Sequence, residues 1–478
     1  MQFDNSYMRL GDGFSMPARP DHAPSATLLS WNESLAFDLG FDTKDFTKQD
    51  LAEIFSGNRV LCGMQPVALA YSGHQFGHFA GQLGDGRACL LGEVISATGE
   101  RYDLQLKGSG PTAFSRGGDG KAPLGPVLRE YVISEFMHRI GVPTTRSLAA
   151  VATGEQVQRE NLQPGAVVTR VAKSHIRIGT FEHFASRQDV TRLHKLIAYS
   201  AKRHLDLDAP VFEQAHALLA DLCQKLAILV AQWQGVGFVH GVMNTDNIAI
   251  SGETIDYGPC AFMEAFAFDR VFSSIDHSGR YAYDKQSSIA KWNLARFAEA
   301  LLYAWAGQSE QTISEAHSEF IDVLSGFDTS YEKAFSQVFC VKMGVAETDG
   351  ASHLIKDWLQ LLQAQQLDFT LSFRLLKKAI NNEPIPAQYR SIEEFVGQRR
   401  QLWAEQHLVG QMDDRNPLYI PRNHLIARVI ASAEKGDMQE FHKLGECLKE
   451  PYTESPNAHV YAAPADHSEL VLRTFCGT

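Results

Sequence analysis

The sequence predicts an α+β protein in which a small β-rich region precedes a larger helical region. Residues 66–160 are rich in glycine and in β-prone runs, whereas apolar residues recur at helical spacing from about Val190 onward. The tail, about 355–450, is again mostly helical, with prolines as breaks. At 478 residues the chain is long for a single core, so two or three subdomains are expected.

The β-rich region begins after an irregular N-terminal segment. Residues 1–60 contain three prolines between positions 17 and 24 and only a few short helical stretches. Ala88–Ile95 and Arg101–Lys107 then flank the turn-forming residues 97–100. This order of a β-prone run, a turn and a second run predicts a hairpin.

The remaining elements follow from apolar spacing and from helix-breaking residues. Pro126 opens a helix that runs to residue 140, where a glycine and a proline follow, and Glu130 lies beside its apolar face. Residues 167–171 form a strand. The clearest helix of the second half is 212–233, which two glycines end.

The overall composition excludes several classes of function. The net charge of −12 leaves no basic excess to neutralise nucleic-acid phosphates, so we expect no nucleic-acid partner. The N-terminus lacks the apolar core of a signal peptide, and no run approaches the ~18 apolar residues of a membrane span, so no membrane association is expected. The seven cysteines are scattered without a CxxC pair, which favours a reducing compartment and a cytoplasmic protein.

The segment 240–258 carries the clearest functional signal. Residues 248–250 and 254–255 are short apolar or β-branched runs on either side of Ser-Gly-Glu, which predicts a hairpin. Asn247 and Asp256 would then lie side by side at its open end, roughly 4.5–5.5 Å apart. Their amide and carboxylate oxygens suit a hard cation such as Mg²⁺, which takes few protein oxygens and substrate phosphates. A metal–nucleotide site is therefore predicted, with Asp246 beside it.

Two glycine-rich stretches are candidates for holding the nucleotide. Residues 71–87 contain five glycines in the fourteen positions from 73 to 86, and glycine lets a backbone approach a phosphate closely. Glycine content alone favours an ordinary irregular loop, while Arg87 at its end favours a phosphate site. Residues 115–122 form a second such loop, for which a structural turn at Asp119 is the simpler interpretation.

Four charged residues extend this interpretation. Lys107 ends a predicted strand, and Glu130 on the following helix could hold it as in phosphoryl-transfer sites, although a solvated lysine is the alternative. Arg170 and Arg177 could grip a phosphate through paired hydrogen bonds. Most arginines at such positions form surface ion pairs instead.

The pattern resembles that of protein kinases. The segment that ends at Asn247 has the spacing of the kinase catalytic loop, and Asp256 begins a sequence similar to the metal-binding DFG. Lys107 and Glu130 resemble the kinase strand lysine and helix glutamate. The position of the kinase catalytic aspartate, however, is Val242.

Longer strings closely resemble the selenoprotein O family over nearly the whole chain. That resemblance implies a protein-kinase-like, bilobal α+β fold with an inverted nucleotide, and transfer of AMP from ATP to Ser, Thr or Tyr hydroxyls of other proteins. The strings are YSGHQFGHFAGQLGDGRA (71–88), LQLKGSGPTAFSRGGDGKA (104–122), GAVVTRVAKSHIRIGTFEHF (165–184) and HGVMNTDNIAISGETIDYGPC (240–260).

The same resemblance implies roles for individual residues. Asp246 is the proton acceptor, Asn247 and Asp256 hold Mg²⁺ or Mn²⁺, and Glu130 is a supporting residue. Contacts with ATP, or with another nucleotide such as UTP, come from Gly84, Gly86, Arg87, Lys107, Asp119, Gly120, Arg170, Arg177 and Asp256. The implied domains are an N-terminal extension (1–65), a β-rich nucleotide-binding lobe (66–172), a helical catalytic lobe (173–350) and a helical C-terminal extension (351–478).

Two alternatives stay open at this point. An atypical kinase could use Asp246 in place of the missing aspartate, and a nucleotide-binding pseudokinase scaffold would have no activity. Val242 disfavours the first, and the retained metal ligands disfavour the second. Some family members end in Cys-x-x-selenocysteine, whereas this chain ends with a lone Cys476, so redox control would need another cysteine such as Cys260.

Overall fold

The computed structural model describes residues 2–455 and 459–475. Its β-structure lies mainly in the first third of the chain. The strands are β1 (Gln2–Phe3), β2 (Ser15–Pro17), β3 (Thr27–Trp31), β4 (Val67–Leu69), β5 (Gly73–Gln75), β6 (His78–Ala80), β7 (Ala88–Ile95), β8 (Arg101–Lys107), β9 (Ala122–Pro123), β10 (Arg146–Gln158), β11 (Leu162–Ala172), β12 (Phe238–Val239) and β13 (Ala261–Phe262).

Helices dominate the chain after β11. They are α1 (Glu33–Asp38), α2 (Lys48–Ser56), α3 (Leu124–Arg139), α4 (Ile178–Ala185), α5 (Val190–Leu205), α6 (Val211–Gly235), α7 (Gln286–Leu302), α8 (Glu310–Met343), α9 (Ala351–Ala364), α10 (Phe369–Ile380), α11 (Arg390–Arg399), α12 (Gln406–Gly410), α13 (Asn423–Ala433), α14 (Gln439–Lys449) and α15 (His459–Ala462). The α+β class predicted from the sequence agrees with this content.

Within the described residues, nine strands form one antiparallel sheet. Its main path runs β2-β4-β7-β8-β11-β10-β3, with β1 paired to β7 and β9 paired to β11. The predicted hairpin is confirmed as β7 and β8, in which Ile95 pairs with Arg101 and Ala88 with Lys107. The register therefore brings Lys107 to the end of the sheet where β11 also pairs with it, through Val168.

The N-terminal segment is more regular than the sequence indicates. Instead of an irregular stretch, the described part of residues 1–60 contributes β1, β2 and β3 to the sheet. The helices α1 and α2 pack on one face of that sheet, where Leu35, Phe41 and Phe55 are buried with strand residues. The local pattern missed these strands because each is two to five residues long and pairs with a distant segment, such as β10 for β3.

Helix α3 connects the sheet to the rest of the molecule. It begins two residues before the predicted start, directly after Pro123, and buries Val127, Leu128 and Phe136. Its neighbours are β10, β11, α13 and α14. The C-terminal helices α13 and α14 thus return to the β-rich region and help to fix the helix that carries Glu130.

Helix α6 lies at the centre of the helical region, between α5, α7 and α8. Among the described residues it is the one helix whose length and composition would let it cross a membrane. In the structure, 61% of its most apolar window is buried inside the protein. Leu219, Leu226 and Trp233 on this helix belong to the largest hydrophobic core.

Candidate active site

A cavity of about 710 Å³ opens beside the end of β8, a size typical of small-molecule sites. It collects almost all of the residues that the sequence singled out. Glu130 alone is not part of the wall. The predicted residues in the wall are Gly84, Gly86, Arg87, Lys107, Asp119, Gly120, Arg170, Arg177, Asp246, Asn247 and Asp256.

The cavity is cationic, although the whole chain carries a net charge of −12. Four aspartates line it, at positions 85, 119, 246 and 256, against seven cationic side chains. Such an excess of positive charge in a concave site attracts an anionic ligand. The cations are Arg87, Lys107, Arg116, Lys121, Arg159, Arg170 and Arg177.

Four charged side chains pair at the base of the cavity: Lys107, Arg170 and Asp256 line it, and Glu130 contacts the two cations from outside its wall. Lys107 Nζ donates to Glu130 Oε2 at 2.7 Å and to Asp256 Oδ1 at 2.9 Å. Arg170 donates to both of the same carboxylates, through Nε to Glu130 and through Nη2 to Asp256. The predicted contact between Lys107 and Glu130 is therefore confirmed, and it is one side of a closed square of two cations and two anions.

The square favours the charged forms of Arg170, Glu130 and Asp256 despite their burial or partial burial. Burial opposes ionisation of Asp256, yet Arg170 and Lys107 hold the pKa of that carboxyl well below its usual value. Burial likewise opposes ionisation of Glu130, and the same two cations lower its pKa. For Lys107, burial and the neighbouring Arg170 lower the pKa, while the carboxylates act in the opposite direction.

The backbone at Asp256 is unusual for a residue with a side chain. Its φ of 64° lies in the left-handed region, which aspartate and asparagine tolerate better than other non-glycine residues. The Gly258 N–H donates to the Asp256 carbonyl at 2.8 Å, so a tight turn follows at once. This conformation directs the Asp256 carboxylate toward Lys107 and Arg170.

The hairpin predicted for 248–255 is wrong. Ile250 N–H donates to Ile176 O, and Ile178 N–H donates to Ile248 O, each at 3.0 Å. Thr254 instead bridges to residue 144 of the segment before β10. The runs 248–250 and 254–255 therefore pair with two different distant segments and not with each other. Long-range pairing buries their apolar side chains on all sides, which a two-stranded hairpin does not do. Asn247 and Asp256 nevertheless both line the cavity.

Asn247 and Asp256 are the residues that could hold a metal ion. The Asn247 amide nitrogen donates to Val242 O at 3.0 Å, which leaves the Asn247 Oδ1 as an acceptor. No group of three or more His, Cys, Asp or Glu side chains within 2–455 and 459–475 is arranged to hold a metal. One carboxylate and one amide fit a hard cation that completes its shell with water and phosphate oxygens.

Asp246 lies in a short 3₁₀ turn, Thr245–Asn247, and is buried. Its Oδ1 has no hydrogen-bond partner, and its Oδ2 faces Gln75 Nε2 at 3.5 Å. Burial raises the pKa of Asp246 to about 6, although the nearby Arg177 acts to lower it. A carboxylate with a free oxygen and a raised pKa is suited to accept a proton from a hydroxyl group.

Arg177 contacts both the main chain of Asp246 and the carboxylate of Asp256. Its Nη1 donates to the Asp246 carbonyl at 3.1 Å and lies 3.7 Å from Asp256 Oδ2. Its guanidinium stacks on the Tyr71 ring, 4.5 Å from the centroid. Arg170 and Arg177 are therefore not surface ion pairs, because both side chains are buried in the wall of the cavity.

The glycines of the cavity wall are required by close packing. Gly84 has a φ of 76°, and a Cβ there would collide with the Phe114 ring. Gly120 has a φ of 65°, and a Cβ would collide with the Gly110 carbonyl. Gly86 also leaves little room, with a Cβ position 3.0 Å from the Phe114 carbonyl oxygen. Both glycine-rich stretches thus bring bare backbone to the cavity, in agreement with the phosphate interpretation.

Asp119 and Arg87 also belong to the wall of the cavity. Asp119 is exposed and pairs with Arg159 at 2.8 Å, and that arginine lowers the pKa of the carboxyl. Arg87 follows Gly86 directly and is partly buried.

Sequence reasoning missed Asp85, which stands between two of the selected glycines. Asp85 is buried, and its Oδ2 accepts from Leu69 N–H at 3.1 Å and Gln105 Nε2 at 3.0 Å. Burial raises the pKa of this carboxyl, with Arg177 opposing the shift. Gln105 alternates with Leu104 and Leu106 in β8, but no pattern in residues 71–87 marks Asp85 itself as buried.

Cysteine chemistry at this site is limited by burial. Cys260 is buried, and burial raises the pKa of its thiol to about 11. Such a thiol is almost entirely protonated near neutral pH and reacts slowly. Cys476, its suggested partner, lies outside the described residues.

Comparison with known proteins identifies the family. The model of the family described as protein adenylyltransferase SelO matches residues 1–449. The relative named protein nucleotidyltransferase YdiU of Maridesulfovibrio salexigens is 45% identical over 489 residues, covering 100% of this chain and 98% of its own. Relatives of the same name from Bradyrhizobium diazoefficiens (47% over 492 residues, 100% and 99%) and Agrobacterium fabrum (46% over 491 residues, 100% and 100%) match equally completely. The chain therefore belongs to the protein adenylyltransferase SelO family and is a nucleotidyltransferase.

Proposed function

We propose that this enzyme transfers AMP from ATP to Ser, Thr or Tyr hydroxyl groups of other proteins. The observation that carries the proposal is the Asp246 carboxylate, which is buried, has one unpartnered oxygen and faces a cationic cavity of nucleotide size. The relatives' printed name, protein nucleotidyltransferase, supports a protein acceptor. A kinase-like bilobal arrangement, a cytoplasmic location, and the absence of nucleic-acid and membrane partners are parts of the same proposal.

In this mechanism the acceptor hydroxyl approaches the α-phosphorus next to Asp246. The hydroxyl oxygen forms a bond to phosphorus, its proton passes to the Asp246 carboxylate, and the bond to the bridging oxygen breaks. Pyrophosphate leaves with that electron pair. Asp246 would contribute about 10²–10⁴-fold as general base.

The cations of the cavity would stabilise the leaving pyrophosphate. Lys107, Arg170 and Arg177 stand together on one side of it and already bind Asp256 in this structure. Arg170 and Arg177 remain charged when phosphate oxygens arrive, because their pKa values are raised above those of free arginine despite the opposing effect of burial. An inverted nucleotide, with its β- and γ-phosphates against these three residues, places the charge where it develops.

A divalent cation, Mg²⁺ or Mn²⁺, would be held by Asn247 and Asp256 and would neutralise phosphate charge. For Asn247, the bond from its amide nitrogen to Val242 fixes which atom faces the cavity. For Asp256, the left-handed backbone sets the direction of the carboxylate. Gly84, Gly86, Gly120, Asp119 and Arg87 would border the nucleotide.

ATP labelled at either the α- or the γ-phosphate tests the proposal. With a protein acceptor and Mg²⁺ or Mn²⁺, we expect α-label on protein and γ-label in free pyrophosphate. The matched control is Asp246→Asn, which keeps the shape of the side chain and should bind ATP while losing transfer. Protein labelled from the γ-position alone would instead show a kinase. ATP binding without labelling from either position would show a nucleotide-binding scaffold.

The choice of nucleotide and metal needs a separate measurement. UTP labelled at the α-phosphate, assayed beside ATP with each metal in turn, gives the two preferences. We expect transfer from both nucleotides with at least one metal, because the proposed contacts are with phosphates and not with the base. Chelation of divalent cations should abolish the labelling, and readdition of the metal should restore it.

A further inference from the structure

A small hairpin stands apart from the main sheet and packs on the loop that carries Asp246. It consists of β5 and β6, joined by Phe76 and Gly77, with Gln75 paired to His78. Both loop residues have positive φ, 51° and 86°, which is the signature of a type I′ turn. The hairpin contacts helix α4 and the 3₁₀ turn Thr245–Asn247. We refer to Gly73–Ala80 as the clamp hairpin.

The first grip of the clamp hairpin is on Thr245. The His74 N–H donates to Thr245 Oγ1 at 2.7 Å, and Thr245 Oγ1 donates to Glu182 Oε2 at 2.5 Å. His74 Nδ1 completes the triangle by donating to Glu182 Oε1 at 2.5 Å. Glu182 and Thr245 are buried, so this network fixes the turn without competition from water.

The second grip is on Asn244, one residue earlier. The Phe76 N–H donates to Asn244 Oδ1 at 3.0 Å, and Tyr281 donates to the same oxygen at 2.6 Å. The Phe76 ring also packs edge-on against Tyr281, with centroids 5.2 Å apart. The chain just before Asp246 is therefore held by two residues of the clamp hairpin, His74 and Phe76.

The third contact is with Asp246 itself. Gln75 Nε2 faces Asp246 Oδ2 at 3.5 Å, and Gln75 lines the cavity. Gly73 lies against the other oxygen, since a Cβ at Gly73 would be 2.9 Å from Asp246 Oδ1 and 3.1 Å from Thr245 Oγ1. One oxygen of the Asp246 carboxylate therefore lies against the backbone of Gly73, and the other lies against the side-chain amide of Gln75.

We propose that the clamp hairpin is the element that positions the Asp246 carboxylate, with Gln75 as its positioning residue and Gly73 as the space it requires. The inference rests on the proposed function for its catalytic consequence. In the transfer step the hydroxyl proton passes to the Asp246 carboxylate as the oxygen–phosphorus bond forms and pyrophosphate departs. Gln75 contacts Oδ2 and Gly73 lies against Oδ1, so the clamp hairpin sets the orientation of the carboxylate toward the acceptor.

Two alanine variants on the same stretch of chain form a matched test. Gly73→Ala introduces a methyl group against Asp246, whereas Gly81→Ala meets only Phe79 Cε1 at 3.8 Å, and neither glycine has a positive φ. We expect Gly73→Ala to lower kcat for transfer about 10²-fold, the loss expected from a displacement of about 1 Å at a reacting group. Gly81→Ala should retain the parent's kcat, and both variants should keep the parent's Kd for ATP.

Gln75→Leu tests the positioning residue separately. Loss of the amide donor should lower kcat about tenfold, with the KM for ATP unchanged, because Gln75 contacts the Asp246 carboxylate and none of the cations of the cavity. Gln75→Asn, which keeps an amide group on a shorter side chain, should recover part of the activity. If Gln75 were only structural, its substitution would change the melting temperature and would not lower kcat selectively with an unchanged KM for ATP.

A measurement of thermal stability tests the inference without an activity assay. If Gly73 is the space reserved for Asp246, the loss of melting temperature in Gly73→Ala should shrink when Asp246→Ala is added to the same chain. Additive losses in the double variant would overturn the inference. So would a parent that transfers AMP while Gly73→Ala and Gly81→Ala are equally active. A parent that transfers no AMP would overturn only the proposed function, because the thermal coupling would still test the clamp hairpin.

Discussion

Glu130→Gln is the most direct test of the buried square of charges. Glu130 accepts from Lys107 at 2.7 Å and from Arg170, and both cations also contact Asp256. The substitution leaves two buried cations facing one carboxylate. Removal of one partner from a buried ion pair costs ~3–5 kcal/mol. Since glutamine keeps the shape and one acceptor oxygen, we expect the lower end, ~3 kcal/mol.

The expected shift in melting temperature follows from the size of the protein. An unfolding entropy of ~2.1 cal/mol/K per residue gives ~1 kcal/mol/K for a chain of 478 residues. A loss of ~3 kcal/mol therefore lowers the melting temperature by about 3 °C. In addition, kcat/KM for transfer should fall about 10²-fold, because Lys107 and Arg170 lose the carboxylate that orients them.

Thermal unfolding by circular dichroism and the label-transfer assay give the two readouts. Glu135→Gln is the matched control, since Glu135 lies on the same helix and pairs with Arg146 at 2.7 Å outside the cavity. It should lose stability but keep transfer. An unchanged melting temperature in Glu130→Gln, or an equal loss of activity in Glu135→Gln, would refute the reasoning.

Three further predictions concern charge and backbone conformation. Burial raises the pKa of Glu253 to about 7, so the stability that this side chain contributes is complete below pH 4.5 and is lost as the pH rises through 7. In urea unfolding, Glu253→Gln should be more stable than the parent by ~2 kcal/mol at pH 8 and should show no such gain at pH 4.5. Burial lowers the pKa of Lys342 to about 7, so the unfolded chain is protonated before the folded one and the fold loses stability as the pH falls from 10.5 to 7. Lys342→Met should therefore raise the melting temperature by about 2 °C at pH 6 and less at pH 10, a net gain that includes the loss of the Lys342 bond to Asn416 Oδ1. Both Asp256→Asn and Asp256→Ala should lose transfer, but the alanine variant should be less stable by ~1 kcal/mol, because only asparagine suits a φ of 64°; equal melting temperatures would contradict this.

The sequence predicted best those features that are encoded locally. The pairing of β7 with β8 follows from two β-prone runs around one turn, and α3 follows from apolar spacing between a proline and a glycine. The contact between Lys107 and Glu130 could be predicted because both lie on these two elements. The glycine-rich stretches were recognisable from composition, and they line the cavity with Asp246, Asn247 and Asp256.

What escaped prediction depends on partners far along the chain. Thr254 donates to a carbonyl 111 positions away, at Pro143, so the local turn signal gave the wrong partner for its strand. The strands of the N-terminal segment were missed for the same reason, since β3 pairs only with residues of β10 among the described strands. Asp85 and Gln75 escaped because nothing in a single sequence distinguishes a buried polar side chain in a glycine-rich stretch from an exposed one.

The long-range pairing of the segment 240–258 has a consequence for folding. One of its runs is hydrogen-bonded to Ile176 and Ile178, and the other to Pro143 and Thr145, so each loop must close over roughly 70 to 110 residues before the pairing can form. We therefore expect the site to be completed late in folding, after these distant segments have paired. Before then the chain would contain Asp246 but neither the contacts of the clamp hairpin nor the closed square of charges. We expect transfer activity to appear only in the completely folded protein.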